Sequence, residues 1–359
     1  MKIAIIADAI DRNNAGISQY VRQLIMQLKQ HHELTVIHLR KSADAVYSGV
    51  QEIIIPKFWH KPGLMRLYVN LFLRNLDVDV IHHPSTIGSY LFTPNRPLVQ
   101  TVYDMIPMKL PSTRTFLNSL MYKIFFKPSV RVAKAIITIS EHSKKDICSL
   151  LQINADKVHV TYLASQHQKP STNDVERVRK QYKISHPYFL FVGTLEPRKN
   201  LVRTLEAFSE SGIDNHHLLL VGSRGWKDDD IFRAISSLSL QGRVHVLSSV
   251  PNSDIAGLYG GASALVFASL YEGFGLPVVE AMSCGCPVIT SNNSSLPEVA
   301  GDAALYVDPL NVDDIAKAMK SILEKRSYFI RKGFIQAKKF SWKKTAEQTT
   351  RVYEEILGR

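Results

Sequence analysis

Glu272 and Glu280 stand eight positions apart in YEGFGLPVVEAMSCGCPVI, with Gly273, Phe274, Gly275 and Leu276 between them and Pro277 placed to start a helix that Gly285 would end. The apolar run ALVFAS precedes them, so the spacing predicts a strand, a glycine turn and a helix. Such a helix offers unpaired N–H groups and partial positive charge to a phosphate, and glycines let the anion approach the backbone. Glu280 is expected in the first helical turn and Glu272 just before the glycines, so both carboxylates would border one anion pocket. Alone, each acid has a plainer role: Glu280 complementing the helix dipole, Glu272 solvated in a loop. Arg198 and Lys199 in FVGTLEPRKN, at another strand-to-helix junction on the same edge, favour the pocket.

Residues so far apart need a scaffold that gathers strand ends. Apolar runs with little alternation, KIAIIA, LTVIHL, VDVIHH, PLVQTVYD and AIITIS, alternate with helical stretches such as GISQYVRQLIMQLKQ. That rhythm predicts a parallel sheet covered by helices on both faces. It lapses at SQHQKPSTND and resumes with PYFLFVG, HHLLLVG, RVHVLSSV, ALVFAS and CPVITS. The expected organisation is an α/β chain of two Rossmann-like, doubly wound domains, residues 1–165 and 166–340, facing across a cleft. Residues 341–359 would form a helix packing back on the first domain. Ligands of such sheets bind beyond the carboxyl ends of the strands. Neither G-x-G-x-x-G nor G-x-x-x-x-G-K-[ST] occurs, which disfavours a nicotinamide dehydrogenase and a P-loop NTPase.

The 359 residues suffice for two buried cores. No run of eighteen apolar residues occurs and Asp8 interrupts the first apolar stretch, so a cytoplasmic location is expected. Cys148, Cys284 and Cys286 fit no disulfide framework or zinc knuckle and read as small buried hydrophobes. The pairs His31-His32, His82-His83 and His216-His217 lie in or beside strands, where neighbours point to opposite faces, so no metal site is expected. Residues 1 to 165 hold 20 basic and 11 acidic residues, against 24 and 21 in the remainder, so a net charge of +12 is concentrated in the first half. An anionic partner there, whether nucleic acid, membrane or phosphorylated substrate, would explain the asymmetry.

The EGFGLPVVE pair, the GTLEPRKNL segment and NNAGISQYVRQL resemble the retaining glycosyltransferases of family 4, of GT-B fold, from the first strand to the last helix. The resemblance implies that Glu280 binds the ribose hydroxyls of a nucleotide and that Glu272 lies near the transferring sugar. Arg198 and Lys199 would hold the diphosphate, and the backbone at Gly273, Phe274, Gly275 and Leu276 would meet the sugar or its phosphate. Gly16 matches a glycine that nears the diphosphate from the first domain. In TVYDMIP, Tyr103 stands where the family usually has histidine, while Asp104 is retained as a residue facing the reacting sugar. No cofactor or metal is implied: the donor is a nucleotide diphosphate sugar and the chain's own cations stabilise the leaving group. The pattern, with YDMIP and ITISEHSKKDI, looks most like bacterial mannosyl- and rhamnosyltransferases of polysaccharide and lipopolysaccharide assembly. GDP-mannose is the favoured donor, UDP-sugars the alternative, and a glycan or polyprenyl-diphosphate-linked glycan the acceptor.

The rivals are a nucleotide-sugar epimerase of the same two-domain shape and a basic nucleic-acid-binding protein; the latter lacks any recognition motif, so no nucleic acid is expected. Asp77 to Asp79 mimics a D-x-D metal motif but reads as polar entry to a strand, and Ser295 with Glu298 forms a capping-box pattern. Residues 53 to 76 hold four Lys or Arg and no acid, and residues 105 to 140 six more and again no acid. Phe58, Trp59, Phe116, Tyr122, Phe125 and Phe126 are interspersed, which suits an anionic membrane surface and a peripheral location. Leu67, Leu71 and Phe125 are expected instead as core positions of helices.

Overall fold

The computed structural model describes residues 1–12, 15–42, 44–72, 76–85, 95–110 and 126–359. They form two compact units: Met1–Leu163 with Ser341–Arg359, and Ala164–Phe340.

The first unit has a parallel seven-stranded sheet: β1 (Lys2–Ile6), β2 (Glu33–His38), β3 (Gln51–Ile54), β4 (Val80–His83), β5 (Leu98–Thr101), β6 (Ala135–Thr138) and β7 (Val158–Val160), in the order β3-β2-β1-β4-β5-β6-β7. Strand β1 is central, Ile3 pairing with Leu34 on one side and Val80 on the other. Its residues after Lys2 are all buried, as a sheet covered on both faces requires. Asp77 and Asp79 are structural: Asp79 Oδ2 accepts from the backbone of Lys2 at 2.8 Å, and Asp77 pairs with the Lys2 ammonium at 2.9 Å.

The helix Trp342–Leu357 caps itself with Ser341, which accepts from Lys344, and ends at Gly358 in the left-handed conformation. Its Tyr353 is wholly buried, and its hydroxyl lies 2.6 Å from His82 Nδ1. His82 Nε2 meets Thr101 Oγ1 at 2.8 Å, and Tyr20 OH reaches the same oxygen at 3.3 Å. Burial pushes the His82 imidazole down to about 3, so it is neutral and one ring nitrogen donates while the other accepts. One polar chain thus ties the last helix to β4, β5 and the helix Ala15–Leu28.

Leu67 and Leu71 depart from the expected core role. They are 46% and 54% exposed, whereas Met65 and Val69 on the same helix, Pro62–Phe72, fill the core. The helix is apolar on two faces, and periodicity alone does not say which one packs. Phe58 is 72% exposed, Trp59 packs partly on the core and Phe126 is buried. Phe116, Tyr122 and Phe125 lie outside the described residues.

The second unit has a parallel six-stranded sheet: β8 (Tyr188–Val192), β9 (His217–Val221), β10 (Val244–Leu247), β11 (Ala264–Phe267), β12 (Val288–Ser291) and β13 (Ala304–Val307), in the order β10-β9-β8-β11-β12-β13. Strand order reverses between β8 and β11, and the loops after these two strands carry Arg198, Lys199 and Glu272. A crevice at such a switch point is where this fold class binds ligands. Cys284 and Cys286 are buried and Cys148 half-buried, all as free thiols.

Candidate functional site

The β11 loop enters the helix Leu276–Ser283 through Gly275, whose φ of +96° no other residue would adopt without strain. A Cβ there would also meet Leu296 Cδ2 at 2.6 Å. Pro277 lies within the first two helical positions, and Gly285, at φ +76°, follows the end. The helix begins at Leu276, which puts Glu280 fifth along it, and its first turn holds no acid. Glu280 is therefore not the dipole-complementing residue that the sequence placed in the first turn. It is 6% exposed, its Oε2 accepts from Tyr259 OH at 3.2 Å, and its Oε1 lies 3.8 Å from His167 Nε2. Tyr259 is wholly buried; burial first, and the Glu280 charge second, raise its hydroxyl far above the ordinary range, so it stays a donor.

Glu272 is held through its backbone by a neighbouring turn: its N–H donates to Ser294 Oγ at 3.1 Å and its carbonyl accepts from Ser295 Oγ at 3.0 Å. Ser295 makes no side-chain cap to its own helix, so the capping box with Glu298 does not form. The serine hydroxyl has a more distant partner than local spacing foresees. The Glu272 side chain, in a residue 7% exposed, receives two cations: Lys199 Nζ at 2.7 Å from Oε1 and Arg198 Nη1 at 2.8 Å from Oε2. Burial alone would raise this carboxyl, but Arg198 and Lys199 outweigh it and hold it at about 2. The Lys199 ammonium moves down instead, because its own burial exceeds the pull of a Glu272 that it shares with Arg198. The two shifts differ because Glu272 faces two cations and Lys199 faces one shared carboxylate.

The loop after β8 is fixed by Asn200, buried and left-handed at φ +60°, whose Nδ2 donates to Ala268 O at 3.0 Å and Pro309 O at 2.6 Å. Leu270 N–H donates to Arg198 O at 2.9 Å, joining the two loops directly. Lys199 Nζ lies over the Phe267 ring, 4.8 Å from its centroid. Arg198 also donates to Tyr271 O at 2.8 Å and to Glu196, whose Oε2 accepts from Trp226 Nε1 at 2.9 Å. Glu196 lies within the stretch read for its cations, and Trp226 is 30 residues further on, where no spacing rule links it to them.

Arg198, Lys199, Glu272, Glu280 and the Gly273–Leu276 backbone therefore belong to one unit, on two adjoining loops and one helix. Phe274 is buried with its ring edge on Phe340, 5.6 Å between centroids. Gly16 and Asp104 belong to the first unit. Gly16 is the second residue of the helix Ala15–Leu28 rather than a loop residue, is exposed, and has open space where a Cβ would stand. Asp104 Oδ1 accepts from Ile106 N at 3.0 Å, where the short helical turn Ile106–Lys109 begins. Tyr103 is buried, its hydroxyl donating to Pro84 O at 3.0 Å and its ring packed edge-on against Tyr20. Among the described residues no group of three His, Cys, Asp or Glu is placed to hold a metal.

Two cations and two carboxylates stand at the switch point of a Rossmann-like sheet, beside a glycine-led helix amino end, the place where doubly wound α/β proteins bind their ligands. Residues 174–340 match the family of Glycosyl transferases group 1, and residues 14–164 match Glycosyltransferase Family 4. The chain is 38% identical to "O-antigen chain mannosyltransferase B" of Escherichia coli, across 99% of this chain and 100% of that protein. It is 30% identical to "O-antigen chain mannosyltransferase RfbU" of Salmonella typhimurium, across 62% of this chain and 60% of that one. Among solved structures it is similar to HepE of Anabaena in complex with UDP-glucose, with TM-score 0.81 and 18% identity over 99% of this chain and 100% of that one. It is also similar to WaaG, a glycosyltransferase involved in lipopolysaccharide biosynthesis, with TM-score 0.76 and 16% identity over 100% of both chains. The chain belongs to the family 4, group 1 glycosyltransferases, and its two Rossmann-like domains are those of the GT-B fold.

Proposed function

We propose that the chain is a retaining mannosyltransferase that moves mannose from GDP-mannose to a hydroxyl of a glycan or polyprenyl-diphosphate-linked glycan in bacterial surface polysaccharide synthesis. The observation that carries this is the Arg198–Glu272–Lys199 cluster beside the helix Leu276–Ser283. Breaking the bond from sugar to diphosphate builds negative charge on the departing oxygen, and fixed cations and helix N–H groups lower that barrier. Arg198, Lys199 and the amides after Gly273 take this role, with no metal required. Glu280, oriented by Tyr259, binds the ribose hydroxyls, and Glu272 lies near the transferring sugar. The leaving phosphate oxygen helps deprotonate the acceptor hydroxyl as it attacks the same face of an oxocarbenium-like sugar. The names of the Escherichia coli and Salmonella relatives favour mannose and an O-antigen acceptor.

UDP-sugar use is the second reading, favoured by the UDP-glucose complex of the similar HepE chain. A thermal-shift panel of GDP-, UDP-, dTDP- and ADP-sugars decides between them. The product anomer, read by NMR against the donor, decides retention; an inverted product sinks the mechanism. Donor incubated alone separates transfer from epimerisation, since an epimerase forms a new sugar nucleotide without acceptor.

The surface around residues 54–71 suits an anionic bilayer. Ile54, Phe58, Leu67 and Leu71 are exposed apolar side chains. Among the described residues no carboxylate forms an ion pair with Lys41, Lys57 or Lys61, and the Arg40 guanidinium donates to a carbonyl, Asp11 O, at 3.2 Å. Arg40, Lys41, Lys57 and His60 line a cavity of about 720 Å³ with Ile54, Ile55 and Pro56. Basic side chains interleaved with exposed apolar ones give reversible interfacial binding, which would bring the first unit to a lipid-linked acceptor on the cytoplasmic face. No helix of the described residues is long and apolar enough to cross a membrane.

A further inference from the structure

The loops after β8 and β9 are zipped together. Leu195 N–H donates to Ser223 O at 3.0 Å and Gly225 N–H to Leu195 O at 3.0 Å, with Leu195 and Arg224 forming a parallel bridge. A Cβ at Gly225 would come to 2.4 Å from Leu195 O, so the approach depends on glycine there. The zip delivers Trp226, half-buried, to Glu196, and Glu196 bridges two donors: Trp226 Nε1 at 2.9 Å on one oxygen and the Arg198 guanidinium on the other. Arg198 is in turn gripped by Tyr271 O and Glu272. These contacts hold the guanidinium on three sides and fix its plane.

We infer that Trp226 and Glu196 are positioning residues for the leaving diphosphate: Trp226 fixes the Glu196 carboxylate, which fixes the plane of the Arg198 guanidinium. Glu196 also balances the cluster. With Glu272 it matches Arg198 and Lys199 charge for charge, so this cluster holds no excess positive charge, and diphosphate recognition rests on aim. This role rests on Arg198 contacting the diphosphate.

Trp226→Phe keeps every charge and an aromatic ring, though a smaller one, but removes the N–H donor, and Glu196→Asp keeps the charge but is too short to span both partners. Calorimetric titrations of the full chain with inorganic pyrophosphate, GDP and guanosine separate phosphate contacts from the rest. Either variant should weaken pyrophosphate and GDP about five- to tenfold, the scale of one ordinary hydrogen bond, with guanosine unchanged. In an Arg198→Ala background, Trp226→Phe should cause no further loss, because the two act through one contact. Equal weakening of guanosine, an additive loss in that background, or unchanged pyrophosphate affinity in both variants overturns the positioning role. If Arg198→Ala weakens pyrophosphate while neither variant does, positioning alone fails. If Arg198→Ala leaves pyrophosphate affinity intact, the diphosphate assignment fails and the positioning role with it.

Discussion

Lys199 Nζ and Glu272 Oε1 lie 2.7 Å apart in residues that are 8% and 7% exposed, and Arg198 holds the other oxygen of the same carboxylate. The acid and the cations that the sequence suggested as separate parts of one pocket are bonded to each other.

Glu272 gives the site an acid-sensitive contribution to stability. Its folded pKa of about 2 lies below the ordinary 4.5, so the unfolded chain binds the proton more tightly. The contribution is fully present above about pH 4.5 and is lost as pH falls towards 2. Urea melts of the wild type and Glu272→Gln across that window should converge as pH drops. At neutral pH Glu272→Gln strands the buried Lys199 ammonium and leaves Arg198 with Glu196 alone, and should destabilise by about 3–5 kcal/mol. Parallel curves for the two proteins across the window would refute this assignment.

Arg198→Ala or Lys199→Ala should reduce turnover by about 2–4 kcal/mol of transition-state stabilisation, measured as kcat/KM with the donor chosen by the panel. Each single variant leaves Glu272 one cation. The double variant leaves it none, so it should also melt earlier. Activity should persist in EDTA, and near-normal turnover in the single variants would remove the cations from the mechanism.

Glu280→Ala should weaken GDP binding more than it lowers turnover, and Glu272→Gln the reverse. Tyr259→Phe removes one hydrogen bond to Glu280 and should cost GDP about 1–2 kcal/mol of affinity. Comparing GDP with 2′-deoxy-GDP tests the ribose contact, since discrimination between them should vanish in Glu280→Ala. Discrimination that survives would place the sugar of the nucleotide elsewhere.

Co-sedimentation with anionic vesicles at low salt should fall as salt rises and be absent with neutral vesicles. Phe58→Ser with Leu67→Ser should weaken it, and Lys57→Glu with Lys61→Glu should abolish it. Equal absence from both vesicle types at low salt would point to a soluble acceptor.

The strands and the switch-point loops were legible because parallel sheets write themselves as short apolar runs, and glycine with proline marks where a chain must turn. Glu272, Arg198 and Lys199 were readable as a group because each follows a strand end. Their mutual bonding was not, since it depends on how closely two loops 73 residues apart approach. Ser295 was misread for the same reason: its hydroxyl serves Glu272 across space, and a four-residue pattern sees only its own helix. Leu67 and Leu71 carry helical spacing yet face outward, because a doubly apolar helix has two faces that satisfy the same periodicity. Trp226 and Tyr259 gave no signal, being ordinary apolar residues whose polar tips matter only once the fold brings a carboxylate to them.

The first unit takes its strands from the beginning of the chain and its covering helix from the end, with the whole of Ala164–Phe340 threaded between. A growing chain delivers β4 and β5 before the second unit and Tyr353 after it, so the His82 ring waits through the synthesis of an entire domain for its Tyr353 partner. The second domain can mature while the first still lacks the helix Trp342–Leu357, whose arrival completes the polar chain through His82.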